Sequence, residues 1–234
     1  MSISLKDQVA LIIGASSGIG REIANQFVKE GARVMASARR KERLETIEGV
    51  SIFVADASQP AEMDALATKT VEQFGRIDIL VYATGTNVPD RAMSRLTTQI
   101  WDEMIGVNLN GAYYATRAVL PMMRERREGH LIYISSISGL VPDVSGAAYQ
   151  AAKRGMLGLA HAIRVEEKEH GIRTCVVCPG LVETEILEKR PVKPTAEMLS
   201  KALQPEDVAE AVVFVSKLPK RAAVPEFQIM PSVL

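Results

Sequence analysis

The sequence has only two cysteines, few aromatic residues and no net charge. The charge balance argues against a nucleic-acid-binding protein. Lysine and arginine together number 28, as do aspartate and glutamate, so the formal net charge of the 234 residues is zero. A protein that grips nucleic acid through its phosphates usually carries a marked basic excess, so no nucleic-acid partner is expected. The basic stretches at 39–43 and 124–127 are local, and the second is typical of a solvated helix end.

Long apolar runs and the features of a signal peptide are also missing. No run approaches the roughly 18 apolar residues that span a bilayer. The first residues, MSISLKDQVALIIG, do not place a charged stretch before an apolar one and a cleavage site. We therefore expect a cytoplasmic protein with no membrane partner. The histidines His130, His161 and His170 show no metal-ligand spacing, so no metal site is predicted.

The two cysteines, Cys175 and Cys178, form the pattern C-x-x-C within the apolar run RTCVVCPG. A single such pair, with no second pair and no histidine partner, is a weak indication of zinc or redox chemistry. Residues three apart on a strand point to opposite faces of a sheet. The pattern therefore favours two separate buried thiols over a metal or redox site.

Apolar runs of strand length alternate with helical patterns along the chain. Such runs are typical of a parallel sheet covered by helices on both faces, so the predicted fold class is α/β, doubly wound. We predict one domain, 1–234, with an excursion above the sheet at about 181–204, where prolines interrupt the pattern. The predicted strands are 9–14, 33–38, 50–56, 77–83, 130–135, 172–180 and 226–230, and the helices about 19–30, 60–74, 98–126, 147–169 and 205–217.

The first predicted strand and helix are joined by GASSGIG, residues 14–20, whose glycines follow the spacing G-x-x-x-G-x-G. Glycine permits a tight turn and a close approach of backbone to ligand, and the helix N-terminus that follows favours negative charge. The spacing differs from the G-x-G-x-x-G of the commonest dinucleotide motif. Its position between a buried strand and a helix nevertheless predicts a diphosphate site.

The end of the second predicted strand indicates which dinucleotide binds. At this point of a dinucleotide-binding fold a carboxylate bonds the ribose of NAD, whereas arginine accommodates the 2′-phosphate of NADP. The sequence at 37–40 is SARR, with no carboxylate. We predict NADP(H) as the cofactor, held by Arg39 with Arg40 as a second candidate, and we expect Lys41 and Arg43 to point to solvent.

The stretch YQAAK places Tyr149 and Lys153 on one face of a predicted helix. A nearby ammonium favours the phenolate, so Lys153 is expected to lower the pKa of Tyr149 from its ordinary value of about 10. Tyr149 is then a candidate general acid–base. Ser136 follows the fifth strand, at the end of the sheet where ligands bind, and is predicted to hydrogen-bond a substrate oxygen, with Ser135 and Ser138 as rivals.

One more polar residue, Asn108 in GVNLNG, lies within an apolar helical stretch. A buried asparagine must find hydrogen-bond partners, so Asn108 serves either helix packing or the binding of a water.

Together these residues resemble the short-chain dehydrogenase/reductase family over almost the whole chain. The resemblance rests on the order and spacing of Gly14-x-x-x-Gly18-x-Gly20, Asn108, Ser136, Tyr149-x-x-x-Lys153 and Pro179-Gly180. It implies a Rossmann-type fold with a seven-stranded parallel sheet. It also implies that Tyr149 gives or takes the proton, that Ser136 binds the substrate oxygen, that Lys153 binds the nicotinamide ribose, and that Asn108 holds a water in a proton relay.

The resemblance and the motifs together define the predicted site. The family's adenine contact matches Asp56, and its nicotinamide border matches the segment PGLVET. The predicted catalytic residues are Asn108, Ser136, Tyr149 and Lys153. The predicted cofactor-binding residues are Gly14, Ser16, Ser17, Gly18, Ile19, Gly20, Arg39, Arg40, Asp56, Ala57, Ala83, Thr84, Gly85, Asn108, Tyr149, Lys153, Pro179, Gly180, Val182 and Thr184.

Two departures from the family pattern fall beneath the expected cofactor. Ile13 stands where the family often has threonine, and residues 82–85, YATG, stand where it often has Asn-Asn-Ala-Gly. The second change removes an amide side chain that can tie adjacent strands, so we expect weaker local stability. Cofactor contacts in this segment are expected to come largely from the backbone.

The predicted function is hydride transfer between NADP(H) and a small-molecule carbonyl or alcohol substrate, such as a ketone, an aldehyde or a 3-oxoacyl thioester. The alternative is a catalytically idle NADP(H)-binding sensor. We expect the substrate pocket to be walled by 86–88, by 138–145 and by the excursion. The resemblance further implies a homodimer or homotetramer that packs through the two long helices.

Overall fold

Buried apolar segments form a single seven-stranded sheet in the computed structural model, which describes residues 4–233. All neighbouring strands are parallel, in the order β3-β2-β1-β4-β5-β6-β7. The predicted doubly wound α/β fold with a seven-stranded parallel sheet is therefore confirmed. The strands are β1 Val9–Ile13, β2 Arg33–Ala38, β3 Val50–Val54, β4 Ile79–Tyr82, β5 Gly129–Ile134, β6 Ile172–Pro179 and β7 Glu226–Ile229.

Helices cover both faces of the sheet because each presents an apolar side to it. Phe27 and Val212 lie in the core on one face, and Leu66, Val119 and Met156 lie in the core on the other. The helices are α1 Gly18–Lys29, α2 Lys41–Leu44, α3 Pro60–Phe74, α4 Thr98–Ile105, α5 Gly111–Arg126, α6 Ala147–Glu167, α7 Ala196–Ser200 and α8 Pro205–Ser216.

The two cysteines of β6 lie on opposite faces of the sheet, as expected from their spacing. Cys175 belongs to the core cluster with α1 and α8, Cys178 belongs to the other cluster, and neither is exposed. Burial raises the pKa of the Cys178 thiol to about 11, so it carries no charge at neutral pH. Among residues 4–233, no group of three or more histidine, cysteine or acidic side chains has the arrangement of a metal site.

The stretch predicted as one long helix over 98–126 is interrupted. Residues Gly106–Asn110 form a π-helical turn between α4 and α5. The apolar periodicity continues through this turn, so the sequence pattern did not reveal the change in hydrogen bonding. A π-helical turn often marks a functional position, and this one carries Asn108.

The predicted excursion above the sheet contains short helical turns and is closed at its base. Glu185–Lys189 forms a 3₁₀ helix, and α7 follows. Val182 pairs with Leu203 in an isolated parallel bridge, which brings the two ends of the excursion together. Within the described part of the chain, none of the helices has the length and apolar character needed to cross a bilayer.

Candidate active site

A cleft of about 450 Å³ opens at the carboxyl ends of the central strands. The strand order reverses between β1 and β4, and ligands of doubly wound folds bind at such a point. Of the predicted site residues, the structure brings all but Asn108 to the walls of this cleft. They are Gly14, Ser16, Ser17, Gly18, Ile19, Gly20, Arg39, Arg40, Asp56, Ala57, Ala83, Thr84, Gly85, Ser136, Tyr149, Lys153, Pro179, Gly180, Val182 and Thr184.

The turn between β1 and α1 forms a cradle that side chains cannot fill. Gly14 has a φ of 93°, and a Cβ there would lie 2.6 Å from the backbone nitrogen of Thr84. No side chain caps the N-terminus of α1, since Ser17 makes no capping bond, and the first turn holds no acidic residue. The first N–H groups of the helix therefore favour an anion, so the turn fits a dinucleotide diphosphate.

At the far end of the cleft, Arg40 is better placed than Arg39 to bind a phosphate. The Arg40 guanidinium donates hydrogen bonds to the hydroxyl oxygens of Ser16 and Ser17, at 3.0 and 2.7 Å, and so lies against the cradle. The Arg39 side chain is 70% exposed, and its nearest acid, Asp56, is 3.8 Å away. Sequence reasoning ranked Arg39 first because it could not show which way either side chain turns.

An unexpected carboxylate, Glu185 of the excursion, joins this basic end of the cleft. Arg40 Nη1 donates to it at 2.9 Å, and Arg43 also donates to it. These hydrogen bonds hold the pKa of Glu185 below its usual value. The expectation that Arg43 points to solvent is therefore wrong, because Glu185 offers it a partner. Lys41 is 66% exposed and lies 3.5 Å from Glu45.

At the opposite end of the cleft, Tyr149 and Lys153 lie on the same face of α6. The Lys153 Nζ is 5.6 Å from the centre of the Tyr149 ring and donates a hydrogen bond of 2.9 Å to the Ile134 carbonyl. Burial lowers the pKa of Lys153 to about 8. The lysine is thus anchored beneath the cleft and is still mostly protonated at neutral pH.

The expected lowering of the Tyr149 pKa does not appear in this structure. Burial raises the pKa of Tyr149 to about 12, and the opposite effects of the Ser136 hydroxyl and of nearby cations are smaller. The prediction was wrong because it counted the ammonium of Lys153 but not the loss of water around the phenol. Tyr149 is therefore protonated at neutral pH, as a general acid must be.

The structure distinguishes Ser136 from its two rivals. Ser135 is buried and donates a hydrogen bond of 3.0 Å to the Lys153 carbonyl. Ser138 bonds to the carboxylate of Asp143 and to Ser145. Ser136 forms hydrogen bonds with its neighbour Ser138, and its hydroxyl faces the cleft beside Tyr149, where it acts on the phenol.

Asn108 lies behind the cleft instead of lining it. Its side-chain oxygen accepts from the Thr86 N–H at 2.9 Å, and its amide donates to the carbonyls of Thr86 and Met104. Of the two roles left open by the sequence, packing is the one visible here, because the amide ties the loop after β4 to the π-helical turn. The water-binding role stays a prediction.

Tyr82, one of the departures from the family pattern, forms a hydrogen bond to the π-helical turn. The Tyr82 ring is fully buried, and its hydroxyl donates to the Val107 carbonyl at 2.5 Å. A Cβ on Gly111 would lie 2.1 Å from that hydroxyl, so the glycine makes room for the phenol. A phenol thus links β4 to the π-helical turn where the family's amide is missing, and the expected loss of local stability stays a prediction.

Five charged residues of the cleft are absent from the predicted site: Arg91, Glu185, Glu188, Lys189 and Arg190. The segments 86–88, 138–145 and the excursion were expected to form the wall, and Thr86, Asn87, Ser138 and Ser145 do line it, whereas Val88 does not. No local motif marks these five charged residues. Only the folded contacts of the loop after β4 and of the 3₁₀ helix bring them into the cleft.

The fold and the cleft define a dinucleotide-binding protein that carries acid–base residues beside its cradle. Residues 8–194 match the family model described as short chain dehydrogenase. An uncharacterised oxidoreductase of Staphylococcus saprophyticus is 36% identical over 241 residues, covering 98% of each chain. The closed form of serine dehydrogenase complexed with NADP⁺ has a TM-score of 0.90 and 32% identity, covering 97% of this chain and 96% of that one.

A metagenomic short-chain oxidoreductase in complex with NADP gives a TM-score of 0.85 and 30% identity, covering 99% of this chain and all of the other. The chain belongs to the short-chain dehydrogenase/reductase family. It is an oxidoreductase of the dehydrogenase/reductase type, and its cofactor is a nicotinamide dinucleotide.

Proposed function

We propose that the protein is an NADP(H)-dependent oxidoreductase that interconverts a carbonyl compound and its alcohol, working as one dinucleotide-binding domain. The observation that carries the proposal is the single cleft that holds both Tyr149 with Ser136 and the cradle with Arg40. Serine, for which a solved relative is named, is itself an alcohol, which supports this class of substrate.

The proposed chemistry places each side chain in one role. Tyr149 donates its proton to the carbonyl oxygen during reduction, and Ser136 hydrogen-bonds the same oxygen. Lys153, anchored on the Ile134 carbonyl, orients the sugar beside the reacting ring. The nicotinamide dinucleotide, when bound, supplies or accepts the hydride. The cradle at Gly14 and the donors of α1 hold its diphosphate.

The preference for NADP(H) over NAD(H) rests on charge at the end of β2. Arg40 lies against the cradle. Residue 38 is alanine, and a carboxylate at that position would repel a 2′-phosphate. Ala38→Asp should therefore weaken NADPH binding and leave NADH binding less affected. Ala38→Asn is the matched control, since it adds nearly the same volume without the charge. Retained NADPH preference in Ala38→Asp would place the ribose elsewhere.

The test of the proposed activity is Tyr149→Phe, which removes only the acidic oxygen. A loss of turnover of about a hundredfold or more is expected, because positioned general acids contribute about 10²–10⁴-fold. NADPH binding, followed by its fluorescence, should persist. Tyr114→Phe is the control, since Tyr114 is partly buried on α5, makes no side-chain hydrogen bond with a described residue and does not line the cleft. Undiminished carbonyl reduction by Tyr149→Phe would refute the assignment, whereas cofactor binding without any turnover in the unmodified protein would favour the sensor.

We also propose that the protein self-associates through the outer faces of α4, α5 and α6. Large apolar side chains there, Trp101, Tyr113 and Val165, are 37%, 49% and 59% exposed. Exposed large apolar side chains on these helices favour association with a second copy. Light scattering of the purified protein should give a dimer or tetramer, and Val165→Asp should lower its mass. A monomer at micromolar concentration would contradict this proposal.

A further inference from the structure

Arg91 is a buried arginine at the catalytic end of the cleft. Its residue surface is 8% exposed, and the side chain lines the cleft together with Tyr149 and Ser136. The guanidinium Nε donates to the Val88 carbonyl at 2.9 Å, and Nη2 donates to the Lys189 carbonyl at 2.6 Å. Nη1 makes no hydrogen bond within residues 4–233, so its donors remain for another partner.

No carboxylate neutralises this cation among the residues that the structure describes. None lies within 4 Å of Arg91, although buried charges are normally paired. The charge of Asp143 acts on Arg91, but the Asp143 oxygens accept hydrogen bonds from Ser138 and Ser145. Burial lowers the pKa of Arg91, which reflects the cost of holding the charge there.

The surrounding backbone is shaped to hold Arg91 in this position. Gly146, just before α6, has a φ of 91°, and a Cβ there would lie 2.7 Å from the Arg91 Cβ. The arginine is thus enclosed between the loop after β4, the loop before α6 and the 3₁₀ helix of the excursion. Such enclosure fixes the guanidinium in one direction, which favours specific binding over a diffuse attraction.

A second cation faces the same space. Arg190, which follows the 3₁₀ helix, lines the cleft and lies close enough to Arg91 that its charge lowers the pKa of Arg91. Both cations also act on the phenol of Tyr149. The Arg190 side chain has no hydrogen bond and no ion pair with any residue in the range 4–233. Arg91 also bonds to the carbonyl of Lys189, the residue before Arg190, so two cations that form no ion pair with a described residue line one part of the cleft and leave a place for an anion.

The acids that line the cleft, Asp56, Glu185 and Glu188, form no ion pair with Arg91 or Arg190, and Asp56 lies 3.8 Å from Arg39. Glu185 is held by Arg40 and Arg43 at the far end of the cleft. Glu188 is exposed and forms no ion pair with a described residue. Lys189, also exposed, donates to the Thr86 hydroxyl at 2.8 Å. The positive charge of Arg91 and Arg190 is therefore available to a ligand.

We propose that the substrate is a small oxo acid or hydroxy acid whose carboxylate binds between Arg91 and Arg190, while its carbonyl or alcohol oxygen faces Tyr149 and Ser136. This inference rests on the proposed function and adds the chemical class of its substrate. Guanidinium groups match the geometry and charge of a carboxylate. Arg91 and Arg190 are positioned to bind the substrate, and the proton still comes from Tyr149.

The experiment compares acids with their methyl esters, because each pair shares a carbonyl and differs in one charge. Pyruvate, acetoacetate and levulinate are each assayed beside the corresponding ester with NADPH. For at least one pair, kcat/KM for the acid should exceed that for the ester by roughly ten- to a hundredfold, since hydrogen bonds to charged groups contribute that much. Most of the difference should lie in KM. Esters that equal or exceed the acids in all three pairs would overturn the inference while leaving the reductase assignment intact.

Variants then test whether Arg91 and Arg190 bind the substrate carboxylate; we call the space between these two residues the anion site. Arg190→Gln should reduce the ratio of kcat/KM for the acid to kcat/KM for the ester about tenfold or more. Lys193→Gln is the matched control, because it removes a charge from the same segment but outside the cleft. Arg91→Lys keeps the charge and Arg91→Met removes it, so their difference separates charge from folding. An unchanged ratio in Arg190→Gln and in a folded Arg91→Met would refute the site.

Binding without turnover keeps this inference separate from the proposed activity. The three acids are titrated by calorimetry into Tyr149→Phe protein, which cannot catalyse the proposed proton transfer. At least one should bind, and Arg190→Gln in the same background should weaken it about tenfold or more. Binding that is lost in this way supports the anion site even if no acid is reduced. No binding of any acid refutes the site even if other carbonyl compounds are reduced.

Discussion

Replacing Glu185 by glutamine should tighten the binding of NADP(H). The carboxylate of Glu185 accepts hydrogen bonds from Arg40 and Arg43, at the end of the cleft where a 2′-phosphate is proposed to bind. A phosphate bound at Arg40 would be repelled by the carboxylate of Glu185 or would have to replace that carboxylate as the partner of Arg40. Glutamine keeps the shape of the side chain and removes that charge.

The expected size of the effect follows from the exposure of the ion pairs. The side chains of Arg40 and Glu185 are 39% and 45% exposed, and that of Arg43 is 42% exposed. Ion pairs that are this open to water contribute about 0.2–1 kcal/mol each, so releasing both corresponds to about 0.4–2 kcal/mol. A difference of about 1.4 kcal/mol is tenfold in affinity. The Kd for NADPH should therefore fall by about two- to thirtyfold.

Fluorescence titration with NADPH and NADH measures this directly. The Kd for NADH, which lacks the 2′-phosphate, should stay the same in Glu185→Gln. Glu188→Gln is the matched control, because it removes a neighbouring charge of the excursion that has no ion pair with a described residue. The gain should shrink as salt is added, since salt screens exposed charges. Weaker NADPH binding in Glu185→Gln, or an equal gain for NADH, would show that Glu185 does not compete with a phosphate at Arg40.

Three further predictions concern stability and pH. Asp78 accepts hydrogen bonds from the Val9 N–H, Arg76 and Arg126, which outweigh the effect of burial and hold its pKa below the usual 3.8. Asp78→Asn should lower the free energy of unfolding by about 1–3 kcal/mol at neutral pH. In the wild type this contribution is present above about pH 4 and is lost as pH falls through the folded-state pKa. Denaturant titrations should therefore show a smaller difference in unfolding free energy between the two proteins at pH 2 than at pH 7. Gly111→Ala should destabilise the wild type more than Tyr82→Phe protein, because the added methyl meets the Tyr82 hydroxyl, and equal costs in a double-mutant cycle would contradict that contact. Because the Tyr149 pKa is about 12, alcohol oxidation should speed up as pH rises from 7 to 9 while carbonyl reduction does not, and parallel pH profiles would argue against Tyr149 as the group that exchanges the proton.

The fold was predictable because its determinants are local and repeated. Each buried strand is a continuous apolar run, and parallel strands with helical crossovers admit few arrangements. The helices over 60–74 and 205–216 begin at prolines, which favour the first turn. The π-helical turn at Gly106–Asn110 was not predictable, because the residues that hydrogen-bond to it, Tyr82 and Thr86, come from elsewhere in the chain.

The site residues also fall into two groups, those that the sequence predicted and those that it did not. The cradle and the pair Tyr149 and Lys153 follow fixed spacings, so the sequence was enough to place them on one cleft. Arg91 and Glu185 follow no spacing, because their partners lie about 100 residues or more away, at Lys189 and Arg40. The Tyr149 pKa could not be predicted either, since burial is a property of the folded protein and it outweighs the nearby charges.

The 3₁₀ helix Glu185–Lys189 connects the two ends of the cleft, and this has a testable consequence. Its first residue contacts Arg40 and Arg43, and its last offers the carbonyl that holds Arg91. A phosphate that draws Arg40 away from Glu185 should therefore change how the anion site is held. Thermodynamic linkage requires that any effect of NADP⁺ on the affinity of an oxo acid be matched by an equal effect of the acid on NADP⁺. Calorimetry on Tyr149→Phe protein measures both, and the coupling should differ in Glu185→Gln, where the contact with Arg40 is already weakened. Identical coupling in the two proteins would show that the 3₁₀ helix carries no signal between the ends of the cleft.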